Sequence, residues 1–194
     1  MAKTSDDDDG EVSGAEIALP LERLSRLMRA AEHDHGLNPA QWEALRFIAR
    51  ANRFSNSPGA LTRYLGATKG TISQTVIALE RKGFITKTVR ADEKRSVQLV
   101  LSAMGQEALH KDPWRALAKA IDGLGGKTRR RMAKGLKELL DGQLLAGGHL
   151  TFGTCQTCRY FREKGSSGAS CMKFEVALSP GDTGLLCVEH VARG

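Results

Sequence analysis

The sequence contains no apolar run of about 18 residues, which excludes an ordinary membrane-spanning helix. Its opening, MAKTSDDDDGEVSG, lacks the basic stretch followed by an apolar stretch that marks a secretory leader, so a cytoplasmic protein is expected. There is no Ser/His/Asp set, no supported pair of carboxylates and no phosphate-binding glycine loop, and an enzyme is not expected. Cysteine is missing before Cys155, and all four cysteines fall between there and Cys187. In a reducing compartment this favours a metal site or a redox switch over stable disulfides. Acidic residues are scarce in the middle of the chain, where residues 58–100 carry three against eight Lys/Arg, whereas residues 1–16 carry six against one. A polyanionic partner is expected for the middle, and a solvated acidic tail at residues 1–15, which show no helical apolar period.

What the chain does have is helical periodicity. From Ile17 to Glu32, Leu21, Leu24, Leu27, Met28 and Ala31 recur at three- and four-residue intervals. Gly36 should end that helix, and Asn38-Pro39 should open the next, with Trp42, Leu45, Phe47, Ile48 and Ala49 on its apolar stripe. Pro58 begins a short helix that turns Leu61 and Leu65 inward and stops at Gly66. Thr68 then caps a helix to about Lys82 with Ile72, Val76, Ile77 and Leu79 buried and Gly83 beyond its end. Phe84–Arg90 and Ser96–Leu101 are rich in Val, Ile, Leu and Thr and read as a two-stranded hairpin. Ser102 can cap a long helix that Pro113 kinks or splits. After Gly125-Gly126, residues 127–145 form a last helix with Met132, Leu136, Leu139, Leu140 and Leu144 along one side.

Helix, tight turn, second helix and basic ribbon are the layout of a winged helix-turn-helix, whose second helix lies in the major groove. On that reading Lys69, Thr71, Ser73 and Gln74 face base edges, the capping residue Thr68 belongs to the same DNA-binding set, and Thr75 meets phosphate with the first-turn amides. Arg90, Lys94 and Arg95 at the hairpin tip reach the backbone or the minor groove. Capping at the helix start and solvation at the hairpin tip would account for the same residue types one by one.

LTRYLGATKGTISQTVIALERKGFI followed by RADEKRSVQLVLSAMG resembles the MarR family of transcription regulators over about residues 17–145. The resemblance implies a mainly α fold, with the winged helix flanked by dimerisation helices from both chain ends. It also implies a homodimer on an inverted repeat of double-stranded DNA, with Leu21, Leu24, Met28 and the 104–145 helices at the interface. That family often carries Asp-x-Arg in the wing, whereas here Arg95 stands three residues after Asp92. His110 and Trp114, four apart, can line a small-effector pocket, although core packing is the better expectation for Trp114.

Residues 149–194 are expected to form a small cysteine-rich module after a winged-helix domain at 16–148. Cys155-x2-Cys158, twelve residues, Cys171, fifteen residues and Cys187 make a spacing that a metal can close. The segment CQTCRYFREKGSSGASCMKFEVALSPGDTGLLC resembles the cluster-binding segment of high-potential iron-sulfur proteins. That resemblance implies a [4Fe-4S] cluster held by Cys155, Cys158, Cys171 and Cys187 and shielded by Tyr160, Phe161 and Phe174. It departs in lacking an aromatic beside the last cysteine, where Leu185, Leu186 and Val188 stand. Zinc is the alternative, with His190 as a reserve ligand, and metal-free thiols a third. His33-Asp34-His35 reads as a solvated helix end, since residues two apart on a helix face different ways. The whole suggests a regulator whose cysteines sense redox state or metal supply. The alternatives are a redox or electron-transfer accessory protein and a regulator with a purely structural zinc docking module.

Overall fold

The computed structural model describes residues 12–89, 97–163 and 168–193. Helix α1 spans Gly14–Ala31 and opens on a capping box in which Ser13 and Glu16 satisfy each other's backbone amides. A 3-10 turn over Glu32–His35 ends at Gly36, whose φ of 70° is one that a side-chain-bearing residue rarely adopts. Helix α2, Pro39–Arg50, has a second capping box built by Asn38 and Gln41. Helix α3, Pro58–Leu65, is capped by Ser57, and α4, Lys69–Arg81, by Thr68. Each of these caps gives an otherwise orphaned amide of the first turn a partner.

Strands β1 (Ile85–Val89) and β2 (Val97–Leu101) pair antiparallel, from Ile85 opposite Leu101 to Val89 opposite Val97. Pro113 splits the expected long helix into α5, Ala103–His110, and α6, Pro113–Asp122. Helix α5 lies so close to the start of the ribbon that a Cβ on Gly105 would stand 2.1 Å from the Phe84 carbonyl oxygen, so only glycine fits there. Helix α7 runs Gly126–Ala146. The C-terminal segment follows with β3 (Gly153–Thr154), β4 (Phe161–Glu163), β5 (Ala169–Cys171), β6 (Val176–Leu178), the single turn α8 (Pro180–Thr183) and β7 (Leu186–Cys187). Strands β4, β5 and β6 form one antiparallel sheet, and β3 pairs with β7.

The main core is made where α2, α3, α4 and the ribbon meet: Trp42, Leu45, Phe47, Leu61, Ile72, Leu79, Ile85 and Leu99 are almost fully buried. Two expected core positions lie outside it. Ile77 is 47% exposed and Ala49 is exposed, while Thr75 and Ala44 are buried in their respective helices. In each helix the buried arc is rotated by a residue or two from the expected stripe, because packing against two neighbours sets which arc of the helix is covered. Val188 from the far end of the chain joins this core, with Phe152 and Leu186 packed against it. The Phe152 ring meets Phe47 and Tyr64 edge-on at 6.0 and 5.0 Å. Burying a side chain such as Val188 contributes about 1.5–3 kcal/mol, so the C-terminal segment adds to the stability of the winged helix.

Helices α1, α6 and α7 bury no residue within the chain. Ile17, Leu27, Leu136, Leu139, Leu140 and Leu145 are all exposed on α1 and α7. Among the described residues no helix is long and apolar enough to cross a membrane.

Candidate DNA-reading face and cysteine cavity

Helix α4 turns Ile72, Thr75, Val76 and Leu79 into the core. Its other side, over the first two turns, presents Lys69, Thr71, Ser73 and Gln74 to solvent. The Thr68 hydroxyl accepts from the Thr71 amide at 3.1 Å and lies 2.9 Å from the Thr71 hydroxyl, so these two threonines serve the cap. Lys69, Ser73 and Gln74 are exposed and make no side-chain hydrogen bond to another described residue. Thr75 does not meet the expectation of a phosphate contact. It is 8% exposed and its hydroxyl donates to the Thr71 carbonyl at 3.0 Å, because i to i−4 back-bonding satisfies a threonine on the buried face. Arg90, Lys94 and Arg95 lie outside the described residues, as does the acidic stretch 1–11.

Three charged residues lock the helices beside this unit. Arg46 on α2 donates to both carboxylate oxygens of Asp112, at 2.7 and 2.8 Å, and stands 2.7 Å from a Glu32 oxygen. The same Glu32 oxygen accepts from the Trp114 indole at 3.1 Å, and the Arg46 guanidinium stacks over the Trp42 and Trp114 rings. Trp114 is thus held by its polar edge rather than packed in the core, and it stays 42% exposed. With Arg50, Tyr64, Leu65, Leu109 and Arg115 it walls an open cleft between α2, α3 and α6. His110 does not line that cleft; its ring nitrogen lies 3.2 Å from Arg115.

Cys155, Cys158, Cys171 and Cys187 all line one small cavity, with Phe54, Tyr160, Phe161 and Phe174 around them. Cys155, Cys158 and Cys187 are buried and Cys171 is half-buried; none is in a disulfide. The sequence brings Cys155 and Cys158 together through a 3-10 turn at Cys155–Thr157, in which the Cys158 amide donates to the Cys155 carbonyl at 3.0 Å. Cys171 arrives at the end of β5 opposite Phe161, and Cys187 at the end of β7 opposite Gly153. Burial, followed by the neighbouring Cys187, Cys171 and Cys158, pushes the Cys155 thiol up to about 11. Burial likewise raises the Cys187 thiol. Among the described residues no three His, Cys, Asp or Glu side chains stand close enough together to hold a single metal ion.

Leu186 and Val188, where an aromatic was expected beside the last cysteine, face the winged-helix core. His190 stands apart from the cavity. Its Nε2 lies 3.0 Å from the Thr157 hydroxyl, and its ring lies so close to Gly153 that a Cβ there would stand 2.6 Å from it. The Nδ1 atom is buried without a partner among the described residues. The side chains of Asp34 and His35 lie outside the described residues, so the His33-Asp34-His35 set is not placed.

Four groups that the sequence reading missed complete the cavity. Phe54 stacks on Phe174 with ring centroids 4.4 Å apart, and Asn52 directs its amide nitrogen at the Cys155 sulfur, 4.0 Å away. Lys173 and Glu189 form a 2.6 Å ion pair at the cavity wall. Asn52 and Phe54 lie some hundred residues before the first cysteine, and no local motif connects them to it.

Residues 35–96 match the MarR family model. The MarR-like region agrees with the helix-turn-helix and the ribbon seen here. FabT from Streptococcus pneumoniae, solved in complex with DNA, is 24% identical with a TM-score of 0.56, covering 68% of this chain and 97% of its own. A MarR transcriptional regulator from Methanosarcina mazei is 18% identical with a TM-score of 0.53, covering 67% of this chain and 97% of its own. A MepR variant from S. aureus is 16% identical with a TM-score of 0.53, covering 68% and 98%. These likenesses establish a MarR-type winged-helix fold. Each of the three covers about two thirds of this chain.

Proposed function

We propose that the protein is a sequence-specific DNA-binding transcription regulator acting as a homodimer, and that its cysteine cavity holds an iron-sulfur cluster whose state changes DNA affinity. The observation that carries the DNA reading is the outer face of α4, where Lys69, Ser73 and Gln74 are exposed beside a cap at Thr68. Donors and acceptors on the first turns of a second helix can read base edges, and helix N-terminal amides suit phosphate. FabT, which shares the fold, was solved in complex with DNA.

A second copy is the proposed cover for α1 and α7, the unburied helices from the two ends of the winged-helix region. Both helices carry exposed leucines, the apolar surface that a second copy would cover. A two-fold dimer places two recognition helices on half-sites one helical turn apart. The cleft at Trp114, walled by aromatic, apolar and both basic and acidic side chains, is the proposed seat of a small effector.

For the cysteines, convergence on one aromatic-walled cavity supports a metal centre. Four cysteines would hold an iron-sulfur cluster through one thiolate each, and among the described residues no three candidate ligands are placed to share a single ion. When bound, such a cluster supplies a one-electron couple that is sensitive to oxidants. The chain's part is to hold four sulfurs, with Phe54, Tyr160, Phe161 and Phe174 keeping water from them.

Affinity for the promoter region around the protein's own gene tests the first half. Binding should weaken steeply as salt rises, and a flat salt response removes the nucleic-acid reading. Anaerobic purification with metal analysis tests the second. Brown protein containing iron and sulfide is expected, and colourless protein with stoichiometric zinc overturns the cluster and leaves a docking module.

A further inference from the structure

The cysteine cavity is not built by the C-terminal segment alone. Residues 51–57, which join α2 to α3 inside the winged helix, run beside it, and Phe54 of this segment lines it. Ala51 bridges to Leu186, and the Asn52 amide donates to the Leu186 carbonyl at 2.9 Å. Asn52 and Ser55 are both fully buried polar residues. The Asn52 amide nitrogen lies 4.0 Å from the Cys155 sulfur, and the Ser55 hydroxyl accepts at 2.8 Å from the amide of Val188, the residue that follows Cys187; both side chains act to lower the Cys187 thiol against its burial. Arg53 pairs with Asp182 at 3.7 Å, and Phe54 stacks on Phe174.

The same few residues hold the DNA-reading unit in place. The Asn56 carbonyl accepts from the Leu99 amide of β2 at 2.7 Å, and Ser57 caps α3 by accepting from the Ala60 amide at 3.2 Å. Helix α3 makes its own contact with the cavity wall, Arg63 standing 3.6 Å from Glu189. One segment thus has cysteine sulfurs on one side and both the first helix-turn-helix helix and the ribbon on the other.

We propose that Asn52 and Ser55 are positioning residues of the metal site, and that segment 51–57 transmits its occupancy to α3 and the ribbon. The proposal rests on the cluster reading given above. Sulfurs that ligate a metal carry negative charge, and N–H and O–H donors aimed at them are then at their strongest. When the metal leaves, the freed sulfurs take up protons from water and become thiols, which leaves two buried polar side chains with poorer partners and favours a different arrangement of the segment. Because Asn56 and Ser57 follow directly, a shift there moves the origin of α3 and the hold on β2.

The test uses the full chain as wild type, Asn52→Ala and Ser55→Ala, each loaded with cluster and then stripped anaerobically by a chelator. Iron content, DNA affinity and hydrogen exchange at the Leu99 amide are measured in both states. The wild type should show about a tenfold affinity difference between states, with slower Leu99 exchange when loaded. Both variants should load iron yet bring the affinity difference within about twofold and abolish the exchange difference. Should Asn52→Ala aggregate, Ser55→Ala against Ser55→Thr decides, since threonine keeps the hydroxyl and should restore the wild-type difference. Variants that carry iron and retain the full difference overturn the proposal. A wild type that binds DNA equally with and without cluster overturns the regulatory reading itself, and this proposal with it, before any variant is made.

Discussion

Ser55 and Val188 stand 133 positions apart in the chain and are joined by a buried 2.8 Å hydrogen bond, the Val188 amide donating to the Ser55 hydroxyl. Val188 is at the same time part of the main core. Truncation after Gly148 is therefore expected to destabilise the winged helix by on the order of 3 kcal/mol or more, and Val188→Ala by about 2 kcal/mol. Urea denaturation of the full and shortened chains checks this. An unchanged midpoint for the winged-helix transition would show that the C-terminal segment contributes nothing to it.

The exposed face of α4 separates two kinds of contact. Gln74→Ala should cost about 1–3 kcal/mol on the cognate site and little on unrelated DNA. Lys69→Ala should weaken binding to all sequences alike and reduce the salt slope by about one. Fluorescence anisotropy over a salt series distinguishes them, and equal loss on both DNAs for Gln74→Ala would take that residue off the reading face.

The Arg46 triad predicts a large effect from a small change. Arg46 and its two partners have side chains at most 15% exposed, and Asp112 also caps α6 by accepting from the Trp114 amide. Asp112→Ala should cost about 3 kcal/mol, because it leaves a buried guanidinium half-paired and an amide orphaned. Asp112→Asn keeps the cap acceptor and should cost less. Denaturation midpoints give the order, and equal costs for the two variants would assign the effect to the ion pair alone.

The thiols of metal-free protein should differ in reactivity. Cys155 is buried and its thiol is raised to about 11, so at pH 8 its thiolate fraction is about a hundredfold below that of an ordinary cysteine. Cys171 is half-buried. Alkylation followed by mass spectrometry should label Cys171 first and Cys155 far more slowly, with Cys155 labelling rising as pH increases from 8 toward 11. Labelling of all four at one rate would show that the cavity opens faster than the reagent reacts.

Most helix starts and stops were legible from single residues; the start of α1 was not, since its cap Ser13 lies in the stretch expected to be an acidic tail. Asn38-Pro39, Ser57-Pro58, Thr68, Gly36, Gly66 and Gly83 each carry a local signal, and each acts where it stands because caps and left-handed glycines depend only on adjacent backbone. The exposed side of α4 followed from apolar spacing in the same way, as did the gathering of the cysteines from their own intervals. The errors at Ile77, Ala49 and Thr75 are errors of rotation about a helix axis, which spacing leaves loose and neighbouring helices decide.

By itself, then, the sequence determined the winged helix, its capped elements, the polar first turns of α4 and the four sulfurs, because those features are encoded within a few residues of one another. Only the tertiary structure decided that Asn52, Ser55 and Phe54 complete the cysteine cavity and that Val188 closes the winged-helix core. Those contacts join residues a hundred or more positions apart, and they arise because burying Val188 and Phe152 against α2 and α3 carries the cysteines to the loop between those helices.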